Sequence, residues 1–196
     1  PVSCYYGYLE KDKTAIIEMA SASGITLVPA HQKNPLPAST HGVGEMILHA
    51  LEKGCRHFII GIGGSATNDG GTGMLTALGY EFLDAKGKPV GPGGQCLEKI
   101  ASVSDKSRIP ALDECVFQIA CDVENPLCGP HGATYIYGPQ KGVTEDLLPV
   151  LDRGMNNYGH IAEAFTGKST MSTARSGASG GLGFAFVTFL NGTLKS

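Results

Sequence analysis

The residues with the clearest chemical potential form a glycine-rich loop at positions 61–73, which reads Gly-Ile-Gly-Gly-Ser-Ala-Thr-Asn-Asp-Gly-Gly-Thr-Gly. A loop with so little side-chain bulk lets its backbone amides converge on an anion. A helix predicted to run from this loop to Gly79 would add the positive end of its dipole. The loop therefore predicts a phosphate or carboxylate site. Its predicted contacts are Gly63, Gly64, Ser65, Gly70 and Gly71.

Asn68 and Asp69 lie where that helix is predicted to begin, and they have two interpretations. A carboxylate beside an anion site could act as the general base for an attacking hydroxyl, with Asn68 in the same catalytic group. Asn and Asp are equally typical N-caps, and as a cap Asp69 would have no chemical role. The neighbouring glycines favour a ligand site, because a cap needs none of them. Both interpretations stay open at this point.

The same loop also fits a dinucleotide-binding pattern. Gly61, Gly63 and Ala66 match G-x-G-x-x-A, and Asp84 follows the next predicted strand, as in NAD-binding domains. Against this pattern, the three later glycines of the loop would fall inside the crossover helix, where each costs about 1 kcal/mol relative to Ala. No Gly-Lys-Ser/Thr closes the loop, which excludes a P-loop. An NAD-binding dehydrogenase domain remains an alternative.

Two further loops carry polar residues suited to phosphoryl transfer. Asp122 follows the predicted strand 116–120 and is the predicted Mg²⁺ ligand, because Mg²⁺ prefers one or two carboxylates together with substrate phosphates. Asn125 is a predicted substrate contact, and an Asx-type turn at Asn125-Pro126 is the alternative. In the loop 138–142, Lys141 lies between glycines and is predicted to stabilise transferred charge. A solvated surface lysine is the alternative there.

The surrounding sequence alternates strand and helix signals. Residues 3–9 and 14–19 predict a hairpin, 56–62 a buried strand, and 80–83 and 116–120 further strands. Ser39 or Thr40 is the predicted cap of a helix that ends at Gly54. Thr144 is the predicted cap of another helix, in which Pro149 is expected to cause a kink. This interleaving predicts an α/β fold, with a mixed sheet and helices packed on it, in one domain over residues 1–196.

Composition excludes several classes of protein. A chain of 196 residues with 42% apolar residues is ordinary for a globular protein with a sizeable core. A net charge of −3 argues against a nucleic-acid partner. No apolar run approaches the roughly 20 residues of a membrane span. Six cysteines at uneven spacing, with no C-x-x-C pair, predict reduced thiols and a cytoplasmic protein.

Three segments resemble the glycerate kinase family of the bacterial glycerate 2-kinase type. They are residues 61–71, residues 120–127 (Ala-Cys-Asp-Val-Glu-Asn-Pro-Leu) and residues 137–142 (Tyr-Gly-Pro-Gln-Lys-Gly), and residues 14–20 and 180–183 are similar as well. The resemblance runs in order over almost the whole chain. It implies phosphorylation of D-glycerate, at the 2-hydroxyl, with ATP and Mg²⁺ as cofactors.

The resemblance also implies a central-domain fragment, one domain of a two-domain kinase. Members of the family carry a Lys-bearing motif in their first segment and an acidic glycine-rich motif in their last segment, and neither motif occurs in these 196 residues. We therefore expect the chain to supply half of an interdomain active site, with the second domain as its partner, and to show no turnover alone. A homodimer and a non-catalytic interaction domain stay open.

Overall fold

The computed structural model describes residues 2–195. The protein is α/β, as predicted, with a mostly parallel sheet and helices packed on it. The strands are β1 (Gly7–Leu9), β2 (Thr14–Glu18), β3 (His57–Gly61), β4 (Glu81–Leu83), β5 (Ser102–Ser104), β6 (Val116–Ala120) and β7 (Thr193–Lys195). The helices are α1 (Ala20–Ser23), α2 (His41–Glu52), α3 (Thr72–Ala77), α4 (Ala133–Tyr137), α5 (Leu148–Thr166) and α6 (Ala178–Leu190). Short 3-10 helices span Ile25–Leu27, Ala30–Gln32, Gly94–Lys99, Pro110–Glu114 and Pro139–Lys141.

The five-stranded sheet has the order β1-β2-β3-β6-β7. The β1–β2 hairpin is antiparallel, with Leu9 opposite Thr14, which confirms the predicted hairpin. All other neighbours in this sheet are parallel, and β4 pairs with β5 in a separate antiparallel ribbon. Gly61 at the end of β3 pairs with Ala120 at the end of β6. The loops that follow these two strands therefore leave the sheet side by side, at its carboxyl edge.

The two faces of the sheet differ in burial. On one face Ile17, Ile60 and Phe117 are at most 1% exposed and belong to the hydrophobic core. On the opposite face Ile59 is 40% and Val116 47% exposed. Side chains alternate along a strand, so β3 presents residues to both faces in turn. The strand predicted at 56–62 is thus confirmed, but the prediction that it is buried holds for only one of its faces.

The helix predictions are right in kind, and one of the two starts differs. α2 ends before Gly54, which has a φ of +85°, as predicted. Thr40 is its N-cap residue, as predicted, but the Thr40 side chain makes no capping bond, whereas Ser39 Oγ accepts the His41 amide at 3.2 Å. The helix predicted from Thr144 begins instead at Leu148, because the Thr144 carbonyl accepts the amide of Leu148 in a preceding turn. Pro149 then falls in the first turn, where a proline is well tolerated, and the kink predicted there is wrong.

The cysteines fit the prediction of reduced thiols. All six are free. Burial raises the pKa of the Cys55 and Cys121 thiols, which favours the protonated form of each. Among the helices described for residues 2–195, none is long and apolar enough to cross a bilayer.

Candidate functional site

A cavity of about 310 Å³ opens at the carboxyl edge of the sheet. Its walls come from the segments 62–65, 120–123 and 178–179, together with Ile25, Tyr137, Gln140 and Lys141. The first two segments directly follow β3 and β6, and ligands of α/β proteins gather at this edge. Of the residues predicted as site residues, the structure brings Gly63, Gly64, Ser65, Asp122 and Lys141 to this one cavity.

Lys141 is the cation of the cavity and is almost wholly buried, with 2% of its surface exposed. Its Nζ donates to Ser65 Oγ at 2.8 Å and to the Thr67 carbonyl oxygen at 2.6 Å. Burial lowers the pKa of Lys141 to about 8, and the nearby charge of Asp69 acts in the opposite direction. The surface-lysine alternative is therefore wrong. An anion bound beside this ammonium would raise its pKa and so favour the charged form.

The glycine loop presents unused amides beside this lysine. Two hydrogen bonds anchor the loop, from the Ile25 amide to the Gly64 carbonyl and from the Ala66 amide to the Ser23 carbonyl, both at 2.8 Å. Within residues 2–195, the amides of residues 63–65 donate to no other backbone or side-chain acceptor. Gly64 has a φ of +70°, and an added Cβ at Gly63 would meet nothing within 4 Å. The loop is thus open to the approach of a ligand.

Asp69 lies behind the cavity and does not line it. The residue is fully buried. Its Oδ2 accepts the Thr40 amide at 2.8 Å, the Thr40 hydroxyl at 2.9 Å and the Gly73 amide at 3.3 Å, and its Oδ1 accepts the Gly71 amide at 3.1 Å. Burial raises the pKa of Asp69, while these donors act to lower it. The contacts favour the capping interpretation, because both carboxylate oxygens already hold the start of α3 and the Thr40 segment together.

Asn68 also lies outside the cavity lining. It is fully buried, and its Nδ2 donates to Thr134 Oγ1 at 3.0 Å. Its Oδ1 has no hydrogen-bond partner among the described residues. Asn68 thus ties the glycine loop to α4, and its role as a catalytic residue stays a prediction.

Gly70 and Gly71 pack against the core rather than against the cavity. Both have positive φ, +63° and +76°. A Cβ at Gly70 would lie 2.5 Å from Tyr158 Cε1, and one at Gly71 would overlap the Ala185 Cβ. Neither residue lines the cavity. Their contacts account for the glycines by close packing, and the contact with an anion predicted for them has no geometric support here.

The loop after β6 carries two predicted site residues, and only one of them lines the cavity. Asp122 is exposed at the cavity, where its carboxylate is accessible. Asn125 does not line the cavity; its Nδ2 donates to the His131 carbonyl at 2.8 Å, and its Oδ1 accepts the Tyr137 hydroxyl at 2.6 Å. Asn125 therefore holds the Tyr137 wall in place. No group of three or more His, Cys, Asp or Glu side chains suited to a metal occurs within residues 2–195.

Ser179 is a cavity residue that the sequence analysis missed. It has a φ of +54°, and Gly180 and Gly181 continue this left-handed turn with φ of +69° and +89°. Its hydroxyl donates to the Ile62 carbonyl, which fixes the peptide unit that leads into the glycine loop. A non-glycine residue at positive φ is strained and often marks a functional site. The Gly180-Gly181 pair was the sequence signal for this turn.

The contacts of Asp69 give a testable prediction. Asp69→Ala is expected to lower the free energy of unfolding by about 3–5 kcal/mol, because it leaves several buried donors without an acceptor. Urea unfolding of both proteins measures this. Asp84→Ala is the matched control, since Asp84 accepts the Lys86 and Lys88 amides in an exposed turn and should cost about 1 kcal/mol or less. An Asp69→Asn variant of unchanged stability with kcat at least about tenfold lower would instead support the base role.

Comparison with known proteins places the chain in a family. The fold and the cavity define an α/β protein with a cavity at the carboxyl edge of a mostly parallel sheet, lined by the cation of Lys141 and the carboxylate of Asp122. The family model described as the glycerate kinase family matches residues 1–196. The chain belongs to the glycerate kinase family.

Individual relatives agree with this family. The chain is 47% identical over 195 residues to a glycerate kinase of Bacillus subtilis, covering 100% of the chain and 51% of that protein. It is 45% identical to a glycerate 2-kinase of Escherichia coli, with 100% and 51% coverage. A crystal structure from Salmonella typhimurium LT2, named as a glycerate kinase 2, superposes with a TM-score of 0.96 at 43% identity, covering 99% of this chain and 52% of that one. The chain spans about half the length of the curated relatives it matches.

These comparisons and the loop geometry leave the dinucleotide-binding alternative without support. In that pattern a helix opens directly after the glycines. Here the helix after β3 begins only at Thr72, well beyond Ala66. The matched family and its named relatives likewise give no support to a non-catalytic interaction domain.

Proposed function

We propose that this chain supplies one half of the active site of a glycerate kinase, which transfers a phosphoryl group from ATP to the 2-hydroxyl of D-glycerate. The family match and the names of the relatives support the reaction class, and the Escherichia coli glycerate 2-kinase supports the position of transfer. The observation that carries the proposal is the buried ammonium of Lys141 beside the unused amides of the glycine loop.

Lys141 and the loop amides have the properties that phosphoryl transfer requires. The reaction depends on positioning and on neutralising negative charge more than on covalent chemistry by the protein. In the proposal, the amides of residues 63–65 and the Lys141 ammonium bind anionic oxygens at the cavity. Ser65 keeps the ammonium oriented through its hydroxyl at 2.8 Å. Preorganised donors of this kind lower the barrier without reorganising during the reaction.

Asp122 is the proposed Mg²⁺ ligand of this chain. It is the carboxylate that lines the cavity within residues 2–195. One carboxylate is a sufficient protein contribution for Mg²⁺ when phosphate oxygens and water complete the coordination. Bound Mg²⁺ would neutralise phosphate charge. Asp69 contributes in this proposal by holding the loops together and by its negative charge behind Lys141.

The second half of the site is proposed to come from the remainder of the full-length protein. The relatives are about twice as long as this chain. In the proposal the chain alone folds but does not turn over, because it lacks the charged motifs of the other half. A cytoplasmic location, a homodimer and the one-domain organisation of residues 1–196 remain predictions.

A coupled assay tests the proposed function. The full-length protein that carries this chain is expected to release ADP from ATP when D-glycerate and Mg²⁺ are present, and to stop when the metal is chelated. Enolase added to the product distinguishes the position of transfer, because 2-phosphoglycerate is its substrate and 3-phosphoglycerate is not. Absence of D-glycerate-dependent ADP release by the folded full-length protein would overturn the proposal. The 196-residue chain, assayed in parallel, should show no turnover.

A further inference from the structure

The size of the cavity limits which part of the reaction it can hold. Its volume of about 310 Å³ lies at the lower end of small-molecule sites, which span about 300–1,000 Å³. A three-carbon hydroxy acid together with one phosphoryl group fits such a space. A whole nucleoside triphosphate is several times larger than the hydroxy acid, so a nucleotide bound next to it would extend beyond this cavity.

The polar groups of the cavity suit a small anion. A lysine ammonium has three donors. The Lys141 ammonium uses two of them in its hydrogen bonds to Ser65 Oγ and to the Thr67 carbonyl oxygen. The remaining donor and the amides of residues 63–65 have no acceptor among residues 2–195, and all of them belong to residues that line the cavity. This is a donor set for carboxylate or phosphoryl oxygens. The hydroxyl of Ser65 accepts from Lys141 and keeps its own proton to donate to a ligand.

The walls offer little for a purine and a ribose. Within the described residues, Tyr137 is the aromatic side chain of the lining, and its hydroxyl is already bonded to Asn125. The exposed carboxylate at the cavity, Asp122, is the proposed Mg²⁺ ligand. Besides Lys141, Tyr137 and Asp122, Gln140 is the long polar side chain of the lining, and the others are small or aliphatic, such as Ile25, Ala120 and Val123.

We propose that this cavity is the acceptor subsite: Lys141 and the amides of residues 63–65 bind the carboxylate of a short 2-hydroxy acid, and polypeptide outside this chain binds the adenosine part of the nucleotide. This inference rests on the proposed function and adds to it the division of the substrates between the two halves. Its consequence is that changes in this loop alter the affinity for the hydroxy acid and leave the affinity for the nucleotide unchanged.

The lysine provides a second, independent signature of the same site. Because burial holds the pKa of Lys141 near 8, a bound carboxylate should raise this pKa and favour the ammonium over the neutral amine. Binding of the hydroxy acid should then weaken as the pH rises above about 8. The titratable groups around this ammonium are Asp69 behind it, and Asp122, Cys121 and Tyr137 in the lining.

Gly63→Val in the full-length protein tests the proposal. Gly63 has open space around its Cβ position and no positive φ, so the variant should fold normally while its side chain blocks the amides. We expect the Kd for D-glycerate, measured by calorimetry, and the KM for D-glycerate to rise at least about tenfold, with the Kd for ADP and the KM for ATP unchanged. Glycerol, which lacks the carboxylate, should not bind.

Lys141→Met should remove the pH dependence of D-glycerate binding, and Lys86→Met, at an exposed lysine outside the cavity, should preserve it.

The outcomes separate this inference from the proposed function. If Gly63→Val weakens ADP or inorganic phosphate binding and leaves D-glycerate binding unchanged, nucleotide phosphates occupy the loop and the inference is overturned, although the kinase function stands. If neither affinity changes in the folded variant, the inference is also overturned. If the wild-type protein binds D-glycerate at this loop but never phosphorylates it, the subsite is supported and the proposed function fails.

Discussion

Lys141→Met in the full-length protein is expected to lower kcat/KM for D-glycerate phosphorylation by about 10²–10³-fold. The variant removes the one cation that lines the cavity within residues 2–195 and retains a side chain of similar length. Because Lys141 is proposed to hold the anionic oxygens of the substrate as a preorganised donor, the loss should exceed that of any exposed lysine. Steady-state assays of ADP release, with Lys86→Met as the control, measure the effect.

Lys141→Met is not expected to lower the free energy of unfolding, and the lowered pKa of Lys141 determines how the effect of the substitution changes with pH. The folded-state pKa of Lys141 is about 8 and its ordinary value is 10.5, so the folded protein releases this proton more readily than the unfolded chain. The unfavourable contribution of the buried ammonium is therefore greatest below about pH 8 and disappears as the pH rises towards 10.5. We expect Lys141→Met to be at least as stable as wild type near neutral pH. The difference in free energy of unfolding between the two proteins should decrease as the pH rises from about 8 towards 10.5. A destabilised variant with no pH trend would show that the two hydrogen bonds of Lys141 mainly support the fold.

Gly71→Ala is expected to lower the free energy of unfolding by about 3 kcal/mol or more. Two costs add at this position. The residue has a φ of +76°, which an L-residue adopts at a cost of about 1–2 kcal/mol, and the new methyl group would overlap the Ala185 side chain of α6. Chemical unfolding of the purified variant measures the sum.

Gly54→Ala is the matched control for this prediction. Gly54 has a similar φ of +85°, but a Cβ there would meet nothing within 4 Å. The control should therefore show the backbone cost alone, about 1–2 kcal/mol. Equal losses in the two variants would mean that α6 shifts to accept the methyl group, and that close packing does not explain Gly71.

The sequence predicted the local elements of the fold well where a single physical rule controls them. The hairpin follows from β-prone residues around a charged turn, and the end of α2 follows from a glycine that adopts a left-handed conformation. The start of α5 was misplaced by three residues, with its cap at Leu147 instead of Thr144, because a separate turn at Thr144 satisfies the same pattern. The burial of β3 was overestimated, since an apolar run does not reveal whether one face or both faces are covered.

The residues of the candidate site likewise include some that the sequence predicted and some that it did not. Residues 63–65 and Lys141 were predicted from their types, and the structure places them at one cavity. Gly70 and Gly71 carried the same sequence signal but pack against the core, because a small residue serves close packing as well as ligand approach. The role of Asp69 could not be decided, since a cap and a base have the same sequence signature and only the contacts with Thr40 and Gly73 separate them. Ser179 was missed because a serine by itself carries no signal for positive φ, and the adjacent Gly180-Gly181 pair indicates a turn without showing that the serine belongs to it.

The parallel pairing of the sheet has a consequence for how the chain folds during synthesis. Each parallel contact joins distant parts of the chain, such as His57 with Val116 and Gln118 with Thr193. Contacts of this kind require large loops to close before they contribute stability, which makes folding slow compared with that of a helical bundle. Within residues 2–195, β7 and the Ser179 wall of the cavity are synthesised after the other four strands of this sheet. During synthesis they can therefore join the other strands only after residues 178–195 have left the exit tunnel.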